Sequence, residues 1–223
     1  MANFKEVNHQ ILEFVKNYDN IIWDWNGTLI DDVDTAVACI NKLLPKYNAS
    51  VITAQKYREI FDFPVRKYYS HLGLDLEKNT FEEIRDQYVK DYNLNIVLNS
   101  SLFPETANLL EEIKKTKNQF ILSAVSQWHL DSITTHFKVD HLFNERFGVN
   151  DHYASGKISR GMELIKHADL RPEKTILIGD TIHDFEVARE LGLNCLLLAD
   201  GHQSPARLKA VTANVIYGRR DYL

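Results

Sequence analysis

Cysteine is nearly absent from this chain: 223 residues contain two, Cys39 and Cys195. They stand far apart and lack ligand-type spacing, which argues against a disulfide framework and a zinc site. Apolar runs are short as well, and none approaches the roughly 20 residues that span a bilayer. A concentration of positive charge is missing: Lys and Arg are scattered under a net charge of −5, which disfavours a nucleic-acid or anionic-membrane partner. No low-complexity linker and no internal repeat stands out. At the N-terminus Phe4, Val7, Ile11, Leu12 and Val15 recur at helical spacing between charges, the pattern of an amphipathic helix and not of a signal peptide. These absences predict a soluble, cytoplasmic chain. The 44% hydrophobic content is enough to bury a sizeable core, in one large domain or two modest ones.

The stretch that organises the rest is IIWDWNGTL, residues 21–29. Ile21, Ile22 and Trp23 read as a buried strand, and Asp24 arrives where that run must break at Gly27. A carboxylate is thus delivered to a strand end, the edge where open parallel sheets bind ligands. Gly27 lets the backbone turn sharply after Asn26, so the amides of Trp25 and Asn26 can face a group resting against Asp24.

Downstream of Leu29 the pattern is helical from about residue 32 to 99, with Pro45 closing the first helix and Thr53 capping the next. Another helix starts at Pro64, and Thr80-Phe-Glu-Glu83 has capping-box form and opens one through about Tyr92. A helix from Pro104 to Lys115 leads to a second buried strand, Gln119 to Val125. Then come a helix over 128–137, a short strand over 146–149, a helix over 159–167, and strands over 175–180 and 194–200. The gap between the first two strands far exceeds an ordinary crossover and implies an inserted helical subdomain. Strands alternating with helices predict an α/β fold built on a parallel sheet. Asp180 closes the third strong strand and Asp184 follows within the next helix. Asp24 and Asp180 at neighbouring strand ends would repel each other unless a cation joined them, and hard oxygen ligands suit magnesium.

Asp24-Trp-Asn-Gly-Thr28-Leu after an apolar strand resembles the first motif of the haloacid dehalogenase superfamily. Ser123 with Ala124 after it, Lys157 in ASGKIS, and Gly179-Asp180-Thr-Ile-His-Asp184 are similar to its second, third and fourth motifs, in the same order. The resemblance covers the whole chain and is nearest to the phosphoglycolate-phosphatase-like branch. It implies a Rossmann-like core with helices on both faces, over residues 1–31 and 100–223, and an α-helical cap over 32–99. It also implies a magnesium-dependent phosphatase acting on a small phosphorylated metabolite, the chain being a monomer or a dimer. In that scheme Asp24 is the nucleophile and forms an aspartyl-phosphate, while Ser123, Ala124 and Lys157 hold the phosphoryl group. Trp25, Gly27 and Thr28 shape the loop around it, and Asp24, the Asn26 carbonyl, Asp180 and Asp184 hold Mg²⁺.

Asn26 departs from the family pattern, which has a second Asp there as general acid and base. An amide cannot exchange that proton, and losing such help costs ~10²–10⁴ in rate. His183 and His202 are the candidate substitutes. Asn26 also keeps other readings open: a phosphate-binding or regulatory module that has lost turnover, or a phosphonate hydrolase. The latter needs a Schiff-base lysine from the cap, where Lys42, Lys46, Lys56 and Lys67 lie. Dehalogenation is disfavoured by the retained GDxxxD. In the cap, Phe61, Phe63, Arg66, Tyr68 and Tyr69 form an aromatic-basic cluster, of which Arg66 is the candidate substrate contact.

Overall fold

The computed structural model describes residues 3–77, 81–149 and 156–219. Its centre is a six-stranded, wholly parallel sheet of β1 (Asn20–Trp23), β4 (Asn118–Ser126), β5 (Glu145–Val149), β6 (Thr175–Gly179), β7 (Asn194–Leu198) and β8 (Val215–Ile216), in the order β5-β4-β1-β6-β7-β8. The strands are nearly continuous apolar runs because both faces are covered. Their side chains alternate between two cores: Ile21, Trp23, Ile121, Ile176 and Ile178 on one face, Ile22, Phe120, Leu122 and Leu177 on the other. Helices α1 (Phe4–Val15), α6 (Thr106–Lys114) and α7 (Gln127–His136) cover the first face. Helices α8 (Gly156–His167), α9 (Ile182–Glu190) and α10 (Pro205–Lys209) cover the second. The fold is α/β and Rossmann-like, as the sequence pattern predicts.

Between β1 and β4 the chain leaves the sheet through β2 (Ile30–Asp31) and returns through β3 (Ser101–Leu102), which pair antiparallel. The excursion between them is helical: α2 (Val33–Leu43), α3 (Ala54–Ile60), α4 (Val65–His71) and α5 (Phe81–Asn99). These helices bury a core of their own, including Ile40, Leu43, Tyr57, Tyr68, Tyr69 and Ile84. Strand order reverses direction at β1, so the ends of β4, β1 and β6 open side by side under this helical cap.

Several boundaries move. Helix α5 continues past Tyr92 to Asn99. The amides of Asn95 and Asn99 donate back to the carbonyls of Asp91 (2.7 Å) and Asn95 (3.2 Å), and Ile96 is buried. Helix α8 starts at Gly156 instead of residue 159, and α6 at Thr106 instead of Pro104. The two-residue strands β2, β3 and β8 and the short α10 carry no periodic signal long enough to read. Thr80 of the capping-box motif, and the first two residues of ASGKIS, lie outside the described residues. No helix among the described residues is long and apolar enough to cross a membrane.

Candidate active site

Asp24 follows β1 and is 7% exposed. The loop after it is wound tightly, with the amides of Thr28, Leu29 and Ile30 all directed at the Trp25 carbonyl at 2.9–3.3 Å. Gly27 sits at φ +71°, and a Cβ there would collide with the Asp180 carboxylate and the His202 ring. Glycine is therefore required twice, for the turn and for the approach of Asp180. Thr28 Oγ1 lies 3.2 Å from both Asp24 Oδ2 and Asp180 Oδ1, to either of which it donates. Asp180 Oδ2 accepts from the His202 amide at 2.6 Å.

Asp184 closes the capping box of α9, where its Oδ2 accepts from the Thr181 amide (3.0 Å) and hydroxyl (2.6 Å). Its other oxygen faces Lys157. From the first turn of α8, Lys157 Nζ donates to Asp184 Oδ1 at 2.6 Å and to Asp24 Oδ1 at 2.5 Å, with all three groups buried. Ser123 is buried in β4, its Oγ accepting from the Val125 amide at 3.2 Å, and Ala124 lines the same cavity.

Burial dominates the electrostatics. It pushes the Asp24 carboxyl up to about 6 against the pull of Lys157, with Asp184 adding repulsion. Asp180 is pushed up to about 8 by burial and by Asp24 and Asp184, against the pull of His202. Burial also works on Asp184, but Lys157 and Thr181 outweigh it and hold that carboxyl below its ordinary value. The Lys157 ammonium, penalised by burial, is held charged by Asp184 and Asp24. Oxygens of Asp24, Asp180 and Asp184 lie within 4.8 Å of one another. Three buried carboxyl groups share one lysine, and Asp24 and Asp180 hold protons more tightly for it. An all-oxygen donor set of that kind fits a hard divalent cation such as Mg²⁺, which can take the protons' place.

Asn26 occupies a network that the sequence does not disclose. Its Nδ2 donates to Tyr92 Oη at 2.7 Å and to Asp32 Oδ2 at 3.2 Å, and the Tyr92 hydroxyl also donates to Asp32. Asp32 is fully buried, accepts from the Gly27 amide at 2.7 Å and lies 3.2 Å from His202 Nε2. His202 and Tyr92 hold the Asp32 carboxyl low against its burial, and Asp32 in turn raises His202 to about 9. The other His202 nitrogen is bonded to Tyr57 Oη at 2.8 Å, so both ring nitrogens are engaged. Tyr57 and Tyr92 were not legible as site residues, because their contacts to Asp32, Asn26 and His202 span 60 to 145 positions of chain and leave no local pattern. Asp32 lies only five and six positions from Gly27 and Asn26, but its role depends on those distant partners. An Asp at position 26 would set a second carboxylate 3.2 Å from Asp32 and lose both donated bonds. Asn26→Asp is therefore expected to destabilise the fold by about 1–3 kcal/mol, with Asp32→Asn in the same chain recovering part of the loss. Thermal denaturation of the single and double variants checks this.

The structure does not bring every expected residue here. The Trp25 side chain is buried in the core against Phe137, so only its backbone serves the loop. Arg66 is exposed, its guanidinium over the Phe81 ring at 5.5 Å, and is not among the residues lining the cavity. Lys42, Lys46, Lys56 and Lys67 are likewise exposed and away from it, which leaves the phosphonate-hydrolase reading without its lysine. His183 does line the cavity, its ring centroid 4.8 Å from that of Phe63.

Comparison with known proteins places these features in a family. The chain is 23% identical over 192 residues to a phosphoglycolate phosphatase from Synechococcus elongatus, spanning 85% of this chain and 88% of that one. A putative haloacid dehalogenase-like hydrolase from Bacteroides fragilis superposes with a TM-score of 0.77 at 21% identity, over 90% of this chain and 96% of the other. Protein tyrosine kinase A from Mycobacterium tuberculosis superposes with a TM-score of 0.75, also at 21% identity, over 91% and 94% of the two chains. The model of the haloacid dehalogenase-like hydrolase family matches residues 21–198, from the second residue of β1, the strand that Asp24 follows, to the last of β7, and the chain belongs to that family of hydrolases.

Proposed function

We propose that the protein is a magnesium-dependent phosphatase that hydrolyses a small phosphomonoester through an aspartyl-phosphate on Asp24. The observation that carries this reading is the setting of the Asp24 carboxylate. It is buried at a strand end, held on one oxygen by Lys157 and on the other by Thr28, and faces a cavity that Ser123 and Ala124 also line. Phosphoryl transfer asks a protein chiefly for an in-line nucleophile and for neutralised charge. Asp24 supplies the first. Lys157, the Ser123 hydroxyl and the Ala124 amide supply the second. Asp24, Asp180, Asp184 and the Asn26 carbonyl hold Mg²⁺, which when bound offsets negative charge on the phosphoryl oxygens.

The similarity to a phosphoglycolate phosphatase supports the activity class, and the relatives named as phosphatase and as kinase both move phosphoryl groups. Asn26 favours one rival reading, a phosphate-binding module without turnover. The two separate in a single experiment: phosphate release from a panel of small phosphomonoesters with Mg²⁺ and with EDTA. Release that requires Mg²⁺ is expected. Tight binding of inorganic phosphate with no release from any ester would establish the binding module instead.

A further inference from the structure

We propose that the substrate is a small aryl phosphomonoester, a phosphate ester of a phenol-type hydroxyl; this rests on the phosphatase reading above and specifies its leaving group. Two independent features of the site point the same way.

The first is the cavity roof. Of the nine residues between 32 and 99 that line the cavity, eight are aromatic or aliphatic, the ninth is Asp32, and none is a lysine or arginine. Phe61 stacks on Tyr57 at 5.0 Å and meets Phe63 edge-on at 5.3 Å, and both phenylalanines are only half-buried. On the floor Lys157 is the one lysine or arginine among the described lining residues, and two carboxylates already engage its charge. A substrate with a carboxylate on its leaving group, such as 2-phosphoglycolate, finds no basic side chain in this roof, whereas an aromatic ring finds faces and edges to pack on. The cavity measures about 180 Å³, and a protein cavity of about 150 Å³ holds benzene, so the space is on the scale of a single ring and excludes larger aromatic systems. Tyr68 lines this cavity, and its Oη is buried and without a hydrogen-bond partner among the described residues. It is available to a polar substituent on the ring.

The second feature is Asn26. An alkyl ester expels an alkoxide whose parent alcohol holds its proton about as tightly as water, with a pKa of about 16, and that departure needs a general acid. A phenol ionises near 10, so its oxygen leaves as phenolate without one. The proposed step balances on that basis. Asp24 forms a bond to phosphorus as the phosphorus–aryl oxygen bond breaks, and the electron pair departs on the phenolate, which takes its proton from solvent. Water then attacks phosphorus, the bond to Asp24 breaks, and both protons of the water leave with dihydrogen phosphate. For the expulsion step an amide at position 26 is tolerable with this leaving group and costly with an alkyl one.

The test compares three esters on the wild-type protein with Mg²⁺. Phenyl phosphate has the ring and the good leaving group, benzyl phosphate has the ring with an alkoxide leaving group, and 2-phosphoglycolate has neither. Phenyl phosphate is expected to exceed 2-phosphoglycolate in kcat/KM by at least about 10²-fold. Benzyl phosphate is expected to share the KM of phenyl phosphate while losing kcat by a similar factor. In the Phe61→Ala/Phe63→Ala variant, KM for both ring esters is expected to rise roughly 3- to 10-fold. Retained binding of inorganic phosphate shows that this variant is folded. A 2-phosphoglycolate value equal to or above that of phenyl phosphate overturns the proposal and leaves the phosphatase reading standing. So does a KM for the ring esters that the double variant leaves unchanged. No release from any of the three overturns the proposal, and where the wider ester panel also gives none, the phosphatase reading falls with it.

Discussion

Replacing Asp24 by Asn should reduce phosphate release by about 10⁴-fold or more, the scale of loss when a covalent nucleophile is removed. The substitution keeps size and shape at a 7%-exposed position but removes the oxygen nucleophile. Lys157 keeps its 2.6 Å bond to Asp184 in the variant, so its ammonium is not left buried without a counter-charge, and the fold is expected to survive. The loss can then be assigned to chemistry if the variant melts cooperatively and still binds inorganic phosphate. A direct readout accompanies the rate: wild-type protein quenched in acid during turnover should carry a phosphoryl group that the Asn variant lacks. Residual activity above about a hundredth of wild type would place the nucleophile elsewhere and overturn the aspartyl-phosphate route.

Asp24 was legible because three physical signals coincide in nine residues: a run of bulky apolar side chains, an acid where the run ends, and a glycine that turns the chain. Asp180 and Asp184 were legible for the same kind of reason. Lys157 carries no local signal at all, and only its place in the order of motifs singles it out. Its burial against two carboxylates is a property of how α8 lies across the strand ends. The cap shows the opposite failure. The cluster around 61–69 was visible, but within α4 the residues that face inward are Val65, Tyr68 and Tyr69, at i, i+3 and i+4. Arg66 and Lys67 fall on the other face of the same turn, so helical geometry excludes the one charged residue chosen as a contact. The Asn26–Tyr92–Asp32 network was out of reach, since Tyr92 lies 66 positions from Asn26. It also changes the meaning of Asn26. Next to Asp32 an amide is the group that can donate, so the departure from the family pattern is integrated into the packing of the site.

The acidic cluster leads to a stability prediction with a definite sign. Asp24 at about 6 and Asp180 at about 8 both bind protons more tightly in the folded chain than in the unfolded one, where carboxyls titrate near 4. The folded state therefore holds more protons between about pH 4 and pH 8, and stability without metal falls as pH rises through that window. His202, raised to about 9, contributes stability that is complete below its unfolded value near 6.5 and is lost as pH rises through 9. Its slope has the same sign. Asp32 and Asp184, held low, have delivered their contribution by about pH 4 and do not oppose the trend above it. A divalent cation competes with those protons for the same oxygens, so it binds more tightly as they leave. In EDTA the Tm should fall between pH 6 and pH 8. Mg²⁺ at about 100 times its Kd should add about 2.7 kcal/mol at either pH, or roughly 5–10 °C for a chain of this length, but less of it should be needed at pH 8. At one fixed, subsaturating concentration the Tm increment must therefore be larger at pH 8 than at pH 6. An equal increment at both, or a Tm in EDTA that rises with pH, would show that these carboxylates do not form the metal site.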